Sequence, residues 1–155
     1  MQEKSKLTFK QKVYQRYQQV VNDKVWLLQK MLQELIASTQ NETKSSAGDK
    51  YETGRAMLQI EQDNVRKQLK DALEQKAVFD KIDTSLHGLH ITKGSLVKTD
   101  KGYFFVSIAL GKITVEGVTV IALSPQSPFG ARLVGLTATH CVTMNGTTYT
   151  IEGVE

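Results

Sequence analysis

Tyr14, Tyr17, Val21, Lys24, Leu28, Met31 and Leu35 follow one another at alternating spacings of three and four. This places them on one stripe of an α-helix with a single polar interruption, the pattern of a coiled-coil seam. Val20, Val25, Leu27, Leu32 and Ile36 widen the apolar face beyond a strict seam, and a helix over residues 7–38 spans about 48 Å at the standard rise per residue. Tyr14, Tyr17 and Trp26 read as packing residues on that helix. A second, polar-rich helix is predicted from about Lys50 to Lys81, with Leu58, Val65, Ala72 and Phe79 seven apart and Leu69 between them. The turn formers of residues 38–48 make a short connection, so the two helices form an antiparallel hairpin.

After residue 90 the period changes from helical to alternating. Residues 95–99, 103–110, 113–116, 118–123, 140–144 and 148–151 are short runs rich in β-branched or aromatic side chains, which predicts strands. Asp100-Lys101-Gly102 and Asn145-Gly146 mark turns between them, the latter a strong hairpin signal because both positions tolerate positive φ. Between the fourth and fifth strands lies Ser124-Pro125-Gln126-Ser127-Pro128-Phe129-Gly130-Ala131-Arg132-Leu133-Val134-Gly135. A helical turn is expected over residues 131–136, with a small antiparallel sheet curled around it.

Charge sharpens the division. Of the 20 basic and 16 acidic residues, 15 and 12 lie at or before Asp83, whereas both prolines and nearly all glycines come after residue 87. The expected organisation is a helical hairpin over 1–83, a connection over 84–90 and a β domain over 91–155. The net charge of +4 is too small in either half to argue for binding a nucleic-acid duplex unaided. No run has the length and apolarity of a membrane span or a signal peptide, so the expected location is cytoplasmic, with no membrane partner. A single cysteine, Cys141, excludes an internal disulfide and lacks the companions of a zinc cluster. His140-Cys141 does not make a catalytic dyad, since adjacent strand residues point to opposite faces.

The Ser127-Pro128-Phe129-Gly130 segment continuing to Leu133-Val134-Gly135, with Thr148-Tyr149-Thr150-Ile151-Glu152 as a closing strand, resembles the C-terminal domain of Gre-type transcription factors. Gly48-Asp49-Lys50-Tyr51-Glu52 is similar to the tip of that family's hairpin, where a Gly-Asp pair is followed by a Glu three residues after the Asp; the residues between differ. The resemblance implies an α+β fold, with an N-terminal antiparallel coiled-coil hairpin followed by a small FKBP-like antiparallel β domain. It also implies a partner, bacterial RNA polymerase, with the hairpin in its secondary channel, the β domain at the channel rim and the 3′ end of nascent RNA reached indirectly. Ser127, Pro128, Phe129 and Gly130 become candidate polymerase contacts. Asp49 and Glu52 become tip carboxylates that assist the polymerase in cleaving backtracked RNA, as ligands of a Mg2+ ion shared with it. The chain would hold no cofactor stably alone and would be a cofactor of the polymerase, not an enzyme.

Each assignment has a plainer counterpart in the residues themselves. Magnesium prefers hard oxygen donors and keeps several waters, so one or two added carboxylates complete a site begun by others. Asp49 with Glu52 three residues on is also the composition of a capped helix start. Lys44, Lys50 and Arg55 suit either RNA phosphates or a solvated helix end, and Pro128 and Gly130 suit either contact or loop shaping. Two other functions stay open: a Gre-like regulator that occupies the channel without stimulating cleavage, and an FKBP-like prolyl isomerase. The latter has Tyr103, Phe104, Phe105, Phe129 and Tyr149 to line an aromatic pocket.

Overall fold

The computed structural model describes residues 7–44 and 48–155, and of residues 42–44 and 48–52 the backbone alone. By internal packing the chain divides into a unit of residues Val21–Ala77 and a second unit that joins the residues up to Val20 with Val78–Glu155. Two helices, α1 (Phe9–Lys44) and α2 (Gly48–Asp80), each contribute to both units. This division differs from a cut in the connection at 84–90, because both helix ends at that side belong with the strands.

Within Val21–Ala77 the helices pack through Val25, Leu28, Val65 and Ala72, flanked by Leu32, Leu35 and Leu69. The heptad positions of α2 lie where their spacing predicts, with Val65 and Ala72 buried and Leu58 and Leu69 half-buried. On α1 the seam differs from the expected one. Lys24 and Met31 are exposed, and Val25 and Leu32 take the inward positions. From Val13 through Tyr17 and Val21 to Val25 the buried residues advance in steps of four, which turns the stripe around the helix; the alternation of three and four begins only at Val25. Trp26 is likewise no seam residue: it is 61% exposed, with the Lys30 ammonium 5.3 Å from its ring.

The first helix also runs six residues past its expected end at Ser38. Thr39 returns its hydroxyl to Leu35 O at 2.9 Å, and the buried Gln62 of α2 donates to Thr39 Oγ1 at 2.5 Å and Leu35 O at 3.4 Å. Arg66 in turn donates to Gln62 Oε1 at 3.2 Å. These partners satisfy the hydroxyl and amide groups that would otherwise favour a turn, so helix α1 continues to Lys44.

The other unit is built on a six-stranded sheet of β1 (Leu96–Thr99), β2 (Gly102–Val106), β3 (Gly111–Val115), β4 (Val118–Leu123), β5 (Cys141–Met144) and β6 (Thr147–Val154), in the order β3-β4-β2-β1-β6-β5. Four of its pairings are antiparallel, as the patterning leads one to expect; β2 with β4 is parallel, Tyr103 facing Val120. The chain leaves β2 for the sheet edge at β3 and turns back to insert β4 between them, which forces the parallel direction. Asn145 and Gly146 (φ 50° and 78°) form the two-residue β5–β6 turn that their sequence predicts, and Glu116 and Gly117 form another of the same kind. The short helix α3 (Pro128–Leu133) lies between β4 and β5, three residues earlier than expected.

Both faces of the sheet are covered, which suits the unbroken apolar run of β2. Ile91, Val97, Phe104, Val106, Leu123, Leu133, Val142 and Ile151 make one core, to which Phe129 and Tyr149 add their rings. Phe105, the next residue along β2, stacks instead near Tyr17 of α1 (6.1 Å) and meets Phe79 of α2 edge-on (6.2 Å). Tyr14 and Phe79 stack at 4.6 Å. No helix among the described residues is long and apolar enough to cross a membrane.

Candidate functional site

The tip of the hairpin is the first candidate. With α1 ending at Lys44 and α2 starting at Gly48, the backbone places Asp49 in the first turn of α2 and Glu52 at the start of the second. Asp49 is thus inside the helix and not in the cap position ahead of it. Negative charge is favoured at this end of a helix by its unpaired amides and dipole. The side chains of Lys44, Asp49, Lys50 and Glu52 lie outside the described residues; Arg55, one turn further on, is exposed. Among the described residues no group of three or more His, Cys, Asp or Glu is arranged to hold a metal ion.

The Ser127 to Gly130 segment is the second candidate, and its geometry is that of a helix start. The Ser127 hydroxyl donates to Ser124 O at 2.6 Å and accepts from Gly130 N at 3.1 Å, while Pro128 occupies the first helical position, where its missing N–H costs nothing. Gly130 is buried against the preceding turn so closely that a Cβ would stand 2.0 Å from Ser124 O. Ser127 and Gly130 therefore build α3, and what the segment presents outward is Pro128, which is exposed, and part of Phe129, which is half-buried. Arg132, near the end of α3, donates to Thr143 O at 2.5 Å and ties the helix to β5. We expect Ser127→Ala to lower stability by about 1 kcal/mol, read as a reduced urea midpoint at unchanged slope; an unchanged midpoint would remove the cap assignment.

The five aromatic residues available for a proline-binding pocket are each engaged with another ring. Phe104 meets Phe129 at 4.9 Å and Tyr149 at 5.6 Å, Phe129 meets Tyr149 at 5.0 Å, Tyr103 meets Phe9 at 5.1 Å, and Phe105 meets Tyr17. Phe104 and Phe105 are buried, and Tyr103, Phe129 and Tyr149 are half-buried. His140 and Cys141 do not act together either: His140 Nδ1 lies 3.0 Å from Thr137 N, and Cys141 Sγ lies 3.6 Å from Thr150 Oγ1.

Other residues join the helix ends to the sheet in ways the sequence does not signal. Tyr17, fully buried, donates its hydroxyl to Gly111 O at 2.7 Å and Val120 O at 2.9 Å, and burial raises its pKa. Lys10 is buried with its ammonium on Leu86 O at 3.0 Å; desolvation lowers its pKa, against the opposing pull of Glu155 and Asp83. Lys12 pairs with Glu116 at 2.5 Å. A helical period shows that Lys10 and Tyr17 are on a helix but not that both sit under other structure.

The chain matches no protein-family model and no curated protein. Among solved structures it is similar to that of the transcription factor Gfh1, at 17% sequence identity and a TM-score of 0.36, over 99% of this chain and 99% of that one.

Proposed function

We propose that this chain is an RNA polymerase-binding factor of Gre type that inserts its α1–α2 hairpin into the polymerase secondary channel and stimulates cleavage of backtracked RNA. The observation that carries this reading is the backbone placement of Asp49 and Glu52 within the first five residues of α2, in a chain whose helical hairpin is followed by a small β domain. Two carboxylates offer Mg2+ the hard oxygen donors it prefers, and the rest of the site belongs to the polymerase and RNA. A metal held there supplies stabilisation of the attacking and leaving oxygens. Asp49 is the principal donor and Glu52 its support, while Lys44, Lys50 and Arg55 offer cations to RNA phosphates. Pro128 and Phe129 are the parts of the α3 segment left to meet the channel rim. The protein acts as a cofactor and carries out no reaction alone.

A second reading, occupation of the channel without cleavage, is favoured by Lys50 and Tyr51 standing between the carboxylates where the family pattern has other residues. A purified polymerase complex stalled in a backtracked state tests both. Wild-type protein should accelerate release of the RNA 3′ fragment, and Asp49→Asn should return it to the polymerase's own rate with helix content unchanged. Full acceleration by Asp49→Asn removes the metal-donor role; binding by wild type without acceleration selects the second reading; absence of binding overturns both.

A further inference from the structure

We propose that the outer edge of β3 is a docking site for an extended acidic segment of a partner protein, which joins the sheet as an added strand. The topology leaves β3 at one end of the sheet. In a two-residue turn of this kind the closing pair, Val115 with Val118, is hydrogen-bonded. Alternate pairs then follow, so Gly111, Ile113 and Val115 turn their backbone groups to β4, and Lys112 and Thr114 turn theirs outward. Among the described residues no backbone group reaches these outward positions.

The opposite edge obeys the same geometry with a different result. Met144 with Thr147 closes the β5–β6 turn, so Thr143 faces outward, and its carbonyl is taken by Arg132. The short 3.0 Å contact between the Thr143 and Thr148 hydroxyls agrees with a pair that is not hydrogen-bonded through its backbone. Arg132 thus takes one outward carbonyl of β5, and among the described residues no side chain takes one of β3.

Beside the β3 edge runs a groove of about 370 Å³ lined by Lys12, Gln15, Arg16 and Gln19 of α1 and by Thr114, Val115 and Glu116. An added strand lies about 4.8 Å from its neighbour, which brings it alongside the α1 residues that line this groove. Its charge chooses the occupant. Glu116 is neutralised by Lys12, whereas Arg16 and Lys112 have no acidic partner among the described residues. The edge strand is also held in place before any partner arrives, by the Tyr17 hydroxyl on Gly111 O and by the Lys12–Glu116 pair at its turn, which lowers the ordering cost of association. Backbone pairing supplies the affinity and Arg16, on the α1 side of the edge, selects acidic side chains; Lys112 projects from the opposite face.

The test uses the full chain, isotopically labelled, and an acetylated peptide alternating Glu and Val. Saturating peptide should slow exchange of the Lys112 and Thr114 amides about tenfold, and Arg16→Glu should weaken binding about tenfold. Thr114→Pro removes one outward N–H without touching the ladder to β4 and should abolish binding. The same peptide N-methylated along one edge asks this question of the unmodified protein and should not bind. Equal binding of the N-methylated peptide, equal binding of a peptide alternating Lys and Val, or exchange protection absent from Lys112 and Thr114 would each overturn the proposal.

Discussion

Gly130→Ala should destabilise the strand-containing unit by about 1–3 kcal/mol, even after the roughly 1 kcal/mol by which alanine is the better helix former. A Cβ at this position meets Ser124 O at 2.0 Å, Ser124 C at 2.9 Å and Ser127 Oγ at 2.9 Å. Two of these atoms are backbone, so no rotamer change relieves the overlap. The turn at Ser124 must move, and with it go the Ser127 cap and the seating of Leu133 and Phe129 in the core. The cost is that of overpacking, typically about 1–3 kcal/mol, plus about 1 kcal/mol for the cap. Urea denaturation should show a lowered midpoint, and amide exchange should speed up first in β4 and α3. A variant as stable as wild type would mean that α3 does not start where it is placed.

Tyr17→Ala should cost about 3–5 kcal/mol, the range for removing a buried aromatic side chain. The ring is fully buried and lies against Phe105, and its hydroxyl serves two backbone carbonyls on β3 and β4. Tyr17→Phe keeps the packing and removes only the hydrogen bonds, so its cost should be about 1 kcal/mol. The two variants together separate packing from polar anchoring. Amides of residues 9–20 should lose protection in Tyr17→Ala and keep most of it in Tyr17→Phe. Equal costs for both variants would show that the hydroxyl, and not the ring, holds the start of α1 to the sheet.

The expected end of α1 at Ser38 rests on Ser, Thr, Gln and Asn as turn formers, yet Thr39 finds Leu35 O and Gln62, and the helix continues. Lys24 and Met31 fit a regular seam by spacing alone, but the stripe rotates because the start of α1 packs against strands and its later part against α2. In the α3 segment the motif is legible as a motif, while its role as a helix start depends on Ser124 O lying over Gly130. That contact joins residues six apart through a turn whose shape no pattern specifies. The candidate tip is legible only as two carboxylates at the right spacing, since chemistry there is completed by groups outside the chain.

By itself, the sequence determined the kind and order of elements: two helices, six short strands, a short helix before the last two strands, and the Asn145-Gly146 turn. These follow from periodicity and from φ preferences, which a few neighbouring residues set. Only the tertiary structure decided where α1 ends, which residues form its seam, that β2 and β4 run parallel, and that both helix ends cover the Phe105 face of the sheet. Each of those depends on partners distant along the chain, whose contacts outweigh local preferences of a fraction of a kcal/mol per residue.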